Sequence, residues 1–284
     1  MERTPFVQTS DGEQLFVRDW GTGAPIVFLA AWALPAAMWD YQMSALVDRR
    51  FRCVAYDRRG HGRSSQPGGG YDYDTLADDL HAVLESRDLR GVTLVGMSMA
   101  GGEITRYLTR HGSSRISRVA YVATAATPYR TRAADNPDGL PPEAIEAFIG
   151  HQLLRDYPQW IEDNRAPFFL PDTPRPIQEW VRGLMLPHAL HALVACTRSM
   201  AGTDFRAELP AVEVPALLIH GTADTTVYPR NSTNLAAAWR AAGAPVELKL
   251  YPDVGHIDVV AAFSSLLSGR APSRADVLAW LDAR

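Results

Sequence analysis

One serine, one aspartate and one histidine stand where a nucleophilic relay needs them. Ser98 lies in Gly96-Met97-Ser98-Met99-Ala100, one residue off the G-x-S-x-G pattern of a nucleophile elbow. In such an elbow the serine occupies a sharp turn from a strand into a helix, in strained backbone geometry, with its hydroxyl exposed above a sheet. Small neighbours let strand and helix approach, and Ala100 adds only a methyl group there. The helix start also aims the Met99 N–H and a positive dipole end at a developing oxyanion. The competing reading is a serine that merely caps a helix after a strand. A base and an orienting acid are expected in the chain order Ser, Asp, His. Asp224, in Gly221-Thr-Ala-Asp224, and His256, in Asp253-Val-Gly-His256, each follow an apolar strand. That puts both at the sheet edge where open α/β sheets keep their sites.

Other polar residues compete less well. The chain has 8 histidines, and His61, His81, His111 and His151 precede or follow the wrong elements. His188 and His191 share a helix face, but no carboxylate lies at ligand spacing, so packing is the better reading and no metal is expected. Asp204 comes before its strand, while Asp253 and Asp258 are too near His256 to reach round its ring. Asp57, in Asp57-Arg-Arg-Gly-His-Gly-Arg-Ser64, reads as a residue that fixes a loop. Cys53 and Cys196 stand alone in apolar surroundings and read as inert buried thiols.

The elements that position these residues alternate. Leu15 to Trp20 reads as an edge strand; Pro25–Ala30, Phe51–Tyr56, Val92–Gly96 and Ile116–Thr124 read as strands buried on both faces. Helical patterns fall between them at Ala36–Asp48, Thr75–Ser86 and Met99–His111, with Asp74 as a cap for the second and Gly112 just past the third. Strands resume at Pro215–His220 and Val246–Leu250, with helices at Pro229–Ala242 and Ser273–Leu281. This alternation predicts an α/β fold with a mostly parallel central sheet flanked by helices. It is broken by a stretch without strands that holds helices at Pro142–Tyr157 and Pro176–Met200. We therefore expect a core domain of residues 1–126 and 204–284 and a helical cap at 127–203.

Composition narrows the function classes. The 284 residues are 46% hydrophobic and 21% charged, which suits a packed globular chain. The net charge of −4 offers no basic field for nucleic acid. A single lysine, Lys249, excludes a phosphate loop ending in Gly-Lys and leaves little room for Schiff-base chemistry. No basic region followed by an apolar run opens the chain, and no stretch is long enough to span a bilayer. A cytoplasmic protein without a membrane partner is expected, and a homo-oligomer stays open.

These residues carry a family resemblance. The chain resembles the α/β-hydrolase fold family, and within it the cofactor-free bacterial haloperoxidases and aryl esterases. The similarity runs nearly end to end. It includes Thr9-Ser-Asp-Gly12, Met38-Trp39-Asp-Tyr-Gln-Met43, the Asp57–Ser64 run, Val92-Thr-Leu-Val-Gly-Met-Ser98, Asp135-Asn-Pro-Asp-Gly-Leu-Pro141 and His220-Gly-Thr-Ala-Asp224. The triad implied by resemblance is Ser98, Asp224 and His256, the same as the choice from spacing. The resemblance also implies an oxyanion hole from the backbone N–H groups of Trp32 and Met99, no cofactor, and a perhydrolase side activity. Relatives carry His-Gly-Trp where this chain has Ala30-Ala31-Trp32. The change restricts the backbone and removes a polar side chain that braces the loop, so a slower esterase favouring activated esters is expected.

The leading expectation is a serine esterase acting on a small carboxylic ester or lactone through an acyl-enzyme. Trp32, Phe148, Trp160, Phe168, Phe169 and Val227 are the candidate pocket wall. A biosynthetic acyltransferase or cyclase using the same triad, and a non-catalytic small-molecule binder, are the alternatives.

Overall fold

The computed structural model describes residues 4–124, 132–137, 139–263, 269 and 271–283. Its strands are β1 (Phe6–Gln8), β2 (Gln14–Trp20), β3 (Ala24–Leu29), β4 (Phe51–Tyr56), β5 (Val92–Met97), β6 (Ile116–Val122), β7 (Ala216–Gly221) and β8 (Val246–Tyr251). They form one sheet in the order β1-β2-β4-β3-β5-β6-β7-β8. β1 and β2 pair antiparallel, as do β2 and β4; every other neighbouring pair is parallel. The Leu15–Trp20 strand is therefore not the edge. The three-residue β1 lies outside it and is too short to show a period in the sequence.

Helices α1 (Asp40–Val47), α2 (Tyr73–Ser86) and α3 (Ala100–His111) join the first strands. Between β6 and β7 come α4 (Pro142–Phe148), α5 (Leu154–Asp163), α6 (Arg165–Phe168), α7 (Arg175–Met185) and α8 (Leu190–Gly202), and among the described residues this stretch holds no sheet strand. The expected cap boundary at residue 127 lies outside the described residues. Helices α9 (Arg230–Ala241), α10 (Asp258–Ala261) and α11 (Ser273–Asp282) complete the chain.

Alternation along the parallel strands builds two apolar layers. Ile26 and Phe28 of β3 face α1 and α11, packing with Met43 and Trp280. Val27 and Leu29 face the other way, with Leu80 of α2, Ile104 of α3 and Trp239 of α9. Asp72, not Asp74, caps α2 by accepting from the Thr75 amide at 2.9 Å, because the helix starts two residues earlier than its apolar spacing suggested. Gly112 ends α3 with φ of 72°.

The expected helix Pro142–Tyr157 is helical through Arg155, with a π-helical turn at Ile149–Leu153, and kinks at Asp156 just before Pro158, while the expected helix Pro176–Met200 is interrupted at Pro187. Pro158 lacks an N–H, the backbone is extended at Asp156, and the Asp156 carboxylate caps the Gln159 amide at 2.9 Å. Pro187 separates α7 from α8 in the same way. Among the described residues no helix is long and apolar enough to cross a membrane.

The chain leaves β3 toward β4 on one side and returns to β5 on the other. The carboxyl ends of β3 and β5 thus flank a topological switch point, where open sheets form a crevice.

Candidate active site

Ser98 sits at that crevice, between β5 and α3. Its φ is +53°, a conformation that costs a residue with a Cβ about 1–2 kcal/mol. Packing enforces it. A Cβ on Gly96 would lie 3.2 Å from the Ala100 carbonyl carbon and oxygen and crowd Ile104 Cδ1, so a glycine lets the strand and the helix start approach closely there. The Ser98 amide donates to Val122 O at 3.0 Å, which fixes the turn to β6. No side chain caps the start of α3, so the hydroxyl is not engaged as a helix cap.

Asp224 and His256 come together from the ends of β7 and β8. The two loops meet because residue 221 is glycine: a Cβ there would stand 2.1 Å from Val254 O. The Ala223 amide donates to that same carbonyl at 3.0 Å. His256 Nδ1 then lies 2.7 Å from Asp224 Oδ2. The carboxylate fixes the proton on Nδ1 and leaves Nε2 with a free lone pair. Oδ1 of Asp224 accepts from the Thr226 and Val227 amides at 2.9 and 2.8 Å. Burial pushes the Asp224 carboxyl up, but hydrogen bonds from His220 and His256, the His256 charge and the Val227 amide together hold it well below its ordinary value.

His220 went unnoticed in the spacing analysis. It is fully buried, with Nε2 3.1 Å from Asp224 Oδ2 and 2.8 Å from Val227 O. Both partners only accept, so Nε2 carries the proton. Nδ1 then accepts from the Ser232 hydroxyl on α9 at 2.7 Å. Asp224 Oδ2 thus receives two imidazole N–H groups. The i, i+4 spacing in His220-Gly-Thr-Ala-Asp224 was the available signal.

The other acids go elsewhere. Asp204 pairs with Arg206. Asp258 accepts from Leu170 N and Thr173 Oγ1, both at 3.0 Å, tying the stretch after α6 to the loop that carries His256. Asp57 accepts from Ala36 N at 2.7 Å and Arg63 N at 2.8 Å, a loop-fixing role. His188 Nδ1 accepts from Gly62 N at 3.0 Å, and His191 Nε2 lies 2.9 Å from Pro67 O. The two rings tie α8 and its approach to two points of the loop between β4 and α2. Among the described residues no group of three or more His, Cys, Asp or Glu could hold a metal ion.

Ser98 and His256 line one cavity of about 370 Å³. No hydrogen bond joins the two side chains, a looseness common before a substrate closes the contact. Trp32, Phe148, Trp160, Phe168 and Val227 line it as expected. Trp160 is its hub, with ring centroids 5.3 Å from Trp32, 5.7 Å from Phe148 and 5.8 Å from Phe168. Phe169 is a correction. Helix α6 ends at Phe168, the backbone turns extended at Phe169, and Phe169 lines not this cavity but a separate crevice beside Ile161 and Val181, which Phe168 also borders. Leu140, Met185 and Met200 add to the apolar wall, Asn164, Thr197 and Thr226 are polar members of it, and no Asp, Glu, Lys or Arg among the described residues lines it.

Trp32 and Met99 follow the ends of β3 and β5, and Trp32 lines the cavity. Neither of their amides donates a hydrogen bond to another backbone group among the described residues. The brace sought in the Ala30-Ala31 segment comes from outside it. Arg58, buried after β4, donates to Ala30 O at 2.6 Å and reaches Ala31 O at 3.4 Å. Its guanidinium is paired with Glu103 on α3.

Residues 24–261 match the sequence profile of the alpha/beta hydrolase fold family. The chain belongs to the α/β-hydrolase fold family. It is 37% identical over 259 residues to the non-heme chloroperoxidase CPO-A1 of Kitasatospora aureofaciens, covering 89% of this chain and 92% of that one. It is 36% identical to the bifunctional esterase/perhydrolase DCH of Acinetobacter calcoaceticus, over 78% of this chain and 83% of that one. Among solved structures, an esterase from Exiguobacterium antarcticum superposes with a TM-score of 0.89 at 27% identity, covering 99% of this chain and 100% of that one. A bromoperoxidase from Bacillus anthracis gives 0.85 at 30% identity, over 96% and 98%. This α/β-hydrolase thus has haloperoxidase and esterase relatives, which supports a hydrolase.

Proposed function

We propose that this α/β-hydrolase is a serine esterase that cleaves neutral carboxylic esters or lactones. The observation that carries the reading is that Ser98 and His256, the latter paired with Asp224, line one mostly apolar cavity. His256 Nε2 takes the proton as Ser98 Oγ attacks the carbonyl carbon. The resulting oxyanion is held by the Trp32 and Met99 amides. The carbon–oxygen bond to the alcohol then breaks, and His256 returns the proton to that alcohol. Water, deprotonated by His256, attacks the acyl-enzyme and releases the acid and Ser98. Among the described residues His256 is the one titratable side chain in the lining, which favours an uncharged acyl group.

Hydrogen peroxide replaces water in the second half of the cycle as a side reaction, which gives a peracid. The relative named as an esterase/perhydrolase supports this. Acyl transfer to another alcohol is the second reading, favoured by the apolar wall around Trp160, which suits an organic acceptor better than water.

A panel of p-nitrophenyl esters and lactones of increasing acyl length tests the proposal. Turnover of neutral esters, lost in the Ser98→Ala variant, is expected. A protein that hydrolyses none of them, yet transfers the acyl group to an added alcohol, belongs to the second reading.

A further inference from the structure

The main chain at Ala30 and Ala31 lacks the polar side chain expected to steady it, yet both carbonyls are held. We propose that Arg58 is a positioning residue of the oxyanion hole, which aims and polarises the Trp32 amide while Glu103 ties it to the helix that presents the Met99 amide. The proposal rests on the serine-hydrolase reading above.

The geometry is specific. The Ala31 C=O and the Trp32 N–H are two ends of one planar peptide unit. A donor fixed on the carbonyl therefore fixes the direction of the N–H, which points the opposite way. Arg58 Nη1 reaches that carbonyl at 3.4 Å, and Nη2 donates to the preceding one, Ala30 O, at 2.6 Å. A cation on the carbonyl side also draws electron density from the amide and makes its N–H a stronger donor. The Leu34 amide also donates to Ala31 O, at 3.3 Å, and the Ala31 N–H lies 3.4 Å from Met38 Sδ; Arg58 is the one charged donor on the segment among the described residues.

Arg58 Nε donates to Glu103 Oε1 at 2.8 Å, and both side chains are at most 2% exposed. Glu103 stands on α3, one turn beyond Ser98. A single buried pair thus references the loop after β3 to the helix that follows the nucleophile. A buried ion pair is often replaceable by apolar residues at no loss of stability. Retention of this one is accounted for by what its fork touches.

The test compares the full-length protein with Arg58→Lys, Arg58→Met and the double variant Arg58→Met/Glu103→Met. The double variant leaves no buried charge unpaired and guards against simple unfolding. Three quantities are read: kcat and KM for a p-nitrophenyl ester, inhibition by an alkylboronic acid whose serine adduct places an oxyanion in the hole, and inhibition by the matching ether, which has no carbonyl. In both methionine variants kcat should fall about 10- to 100-fold, and boronic acid inhibition should weaken in parallel. KM and the affinity for the ether should stay within about threefold, and Arg58→Lys should recover part of kcat. A folded double variant with wild-type kcat and boronic acid affinity overturns the proposal. So does an equal loss for ether and boronic acid, which marks a general packing role. A wild-type protein that neither turns over esters nor forms a boronate adduct at Ser98 overturns the hydrolase reading and this proposal with it.

Discussion

Replacing Asp224 with asparagine preserves shape and changes only the hydrogen-bond inventory, and the structure shows why that is severe. The two carboxylate oxygens face four donors: the Thr226 and Val227 amides at Oδ1, and His256 Nδ1 and His220 Nε2 at Oδ2. Asparagine has one oxygen and one NH2 group, so one side must oppose donor to donor. The backbone amides cannot turn. The asparagine oxygen therefore stays with them, and its NH2 faces His256. The imidazole answers by moving its proton to Nε2, which then points at Ser98 as a donor and no longer as a base. By analogy with the same change in serine proteases, kcat should fall by roughly three to four orders of magnitude. At about 1.36 kcal/mol per tenfold, that is about 4 to 5.5 kcal/mol of transition-state stabilisation. Steady-state hydrolysis of a p-nitrophenyl ester measures it, with KM changing little because the substrate does not touch Asp224. A fall of less than about tenfold in a folded variant would refute the assigned role of this carboxylate.

Other outcomes follow from the same contacts. His220→Leu removes one donor from Asp224 Oδ2 and loosens the carboxylate that orients His256, so kcat should fall by about 2- to 10-fold; His220→Gln, which keeps a donor near the Nε2 position, should lose less. Burial pushes His188 down from 6.5 to about 4, so the unfolded chain binds the extra proton and stability should be lost as the pH falls from about 6.5 toward 4; melting curves of wild type and His188→Gln at pH 7 and 5 should show the smaller drop in the variant. Esters whose acyl group ends in a carboxylate should have a kcat/KM well below that of neutral esters of equal length, and equal rates would contradict the uncharged cavity wall. EDTA should leave ester hydrolysis unchanged, and a loss restored by added metal would bring His188 and His191 back into consideration.

The turn from β5 into α3 at Ser98 was legible because an elbow is a local event. Gly96, Ser98 and Ala100 lie within five residues, and their sizes already encode a strand pressed against a helix. Asp224 and His256 were legible through chain order and the strands before them, since parallel strands bring their following loops to one edge. What stayed hidden depends on packing between distant segments. His220 touches Asp224 because the loop after β7 curls back over its own strand end, which a spacing of four shows only once the turn is known. Arg58 lies in a quoted motif, but its contacts run to Ala30 and Glu103, on two other elements. Phe168 and Phe169 are adjacent and alike, and only the end of α6 decides which one enters the cavity. The early start of α2 was missed because Tyr73, buried against Phe205, extends the apolar face beyond the expected first turn.

The central claim is that Ser98 is the nucleophile, and covalent trapping tests it most directly. The folded protein is treated with a fluorophosphonate, digested and analysed by mass spectrometry. A single adduct on the peptide that contains Ser98 is predicted, absent from Ser98→Ala and absent after denaturation. Labelling of another serine, or equal labelling of the Ser98→Ala variant, would contradict the account.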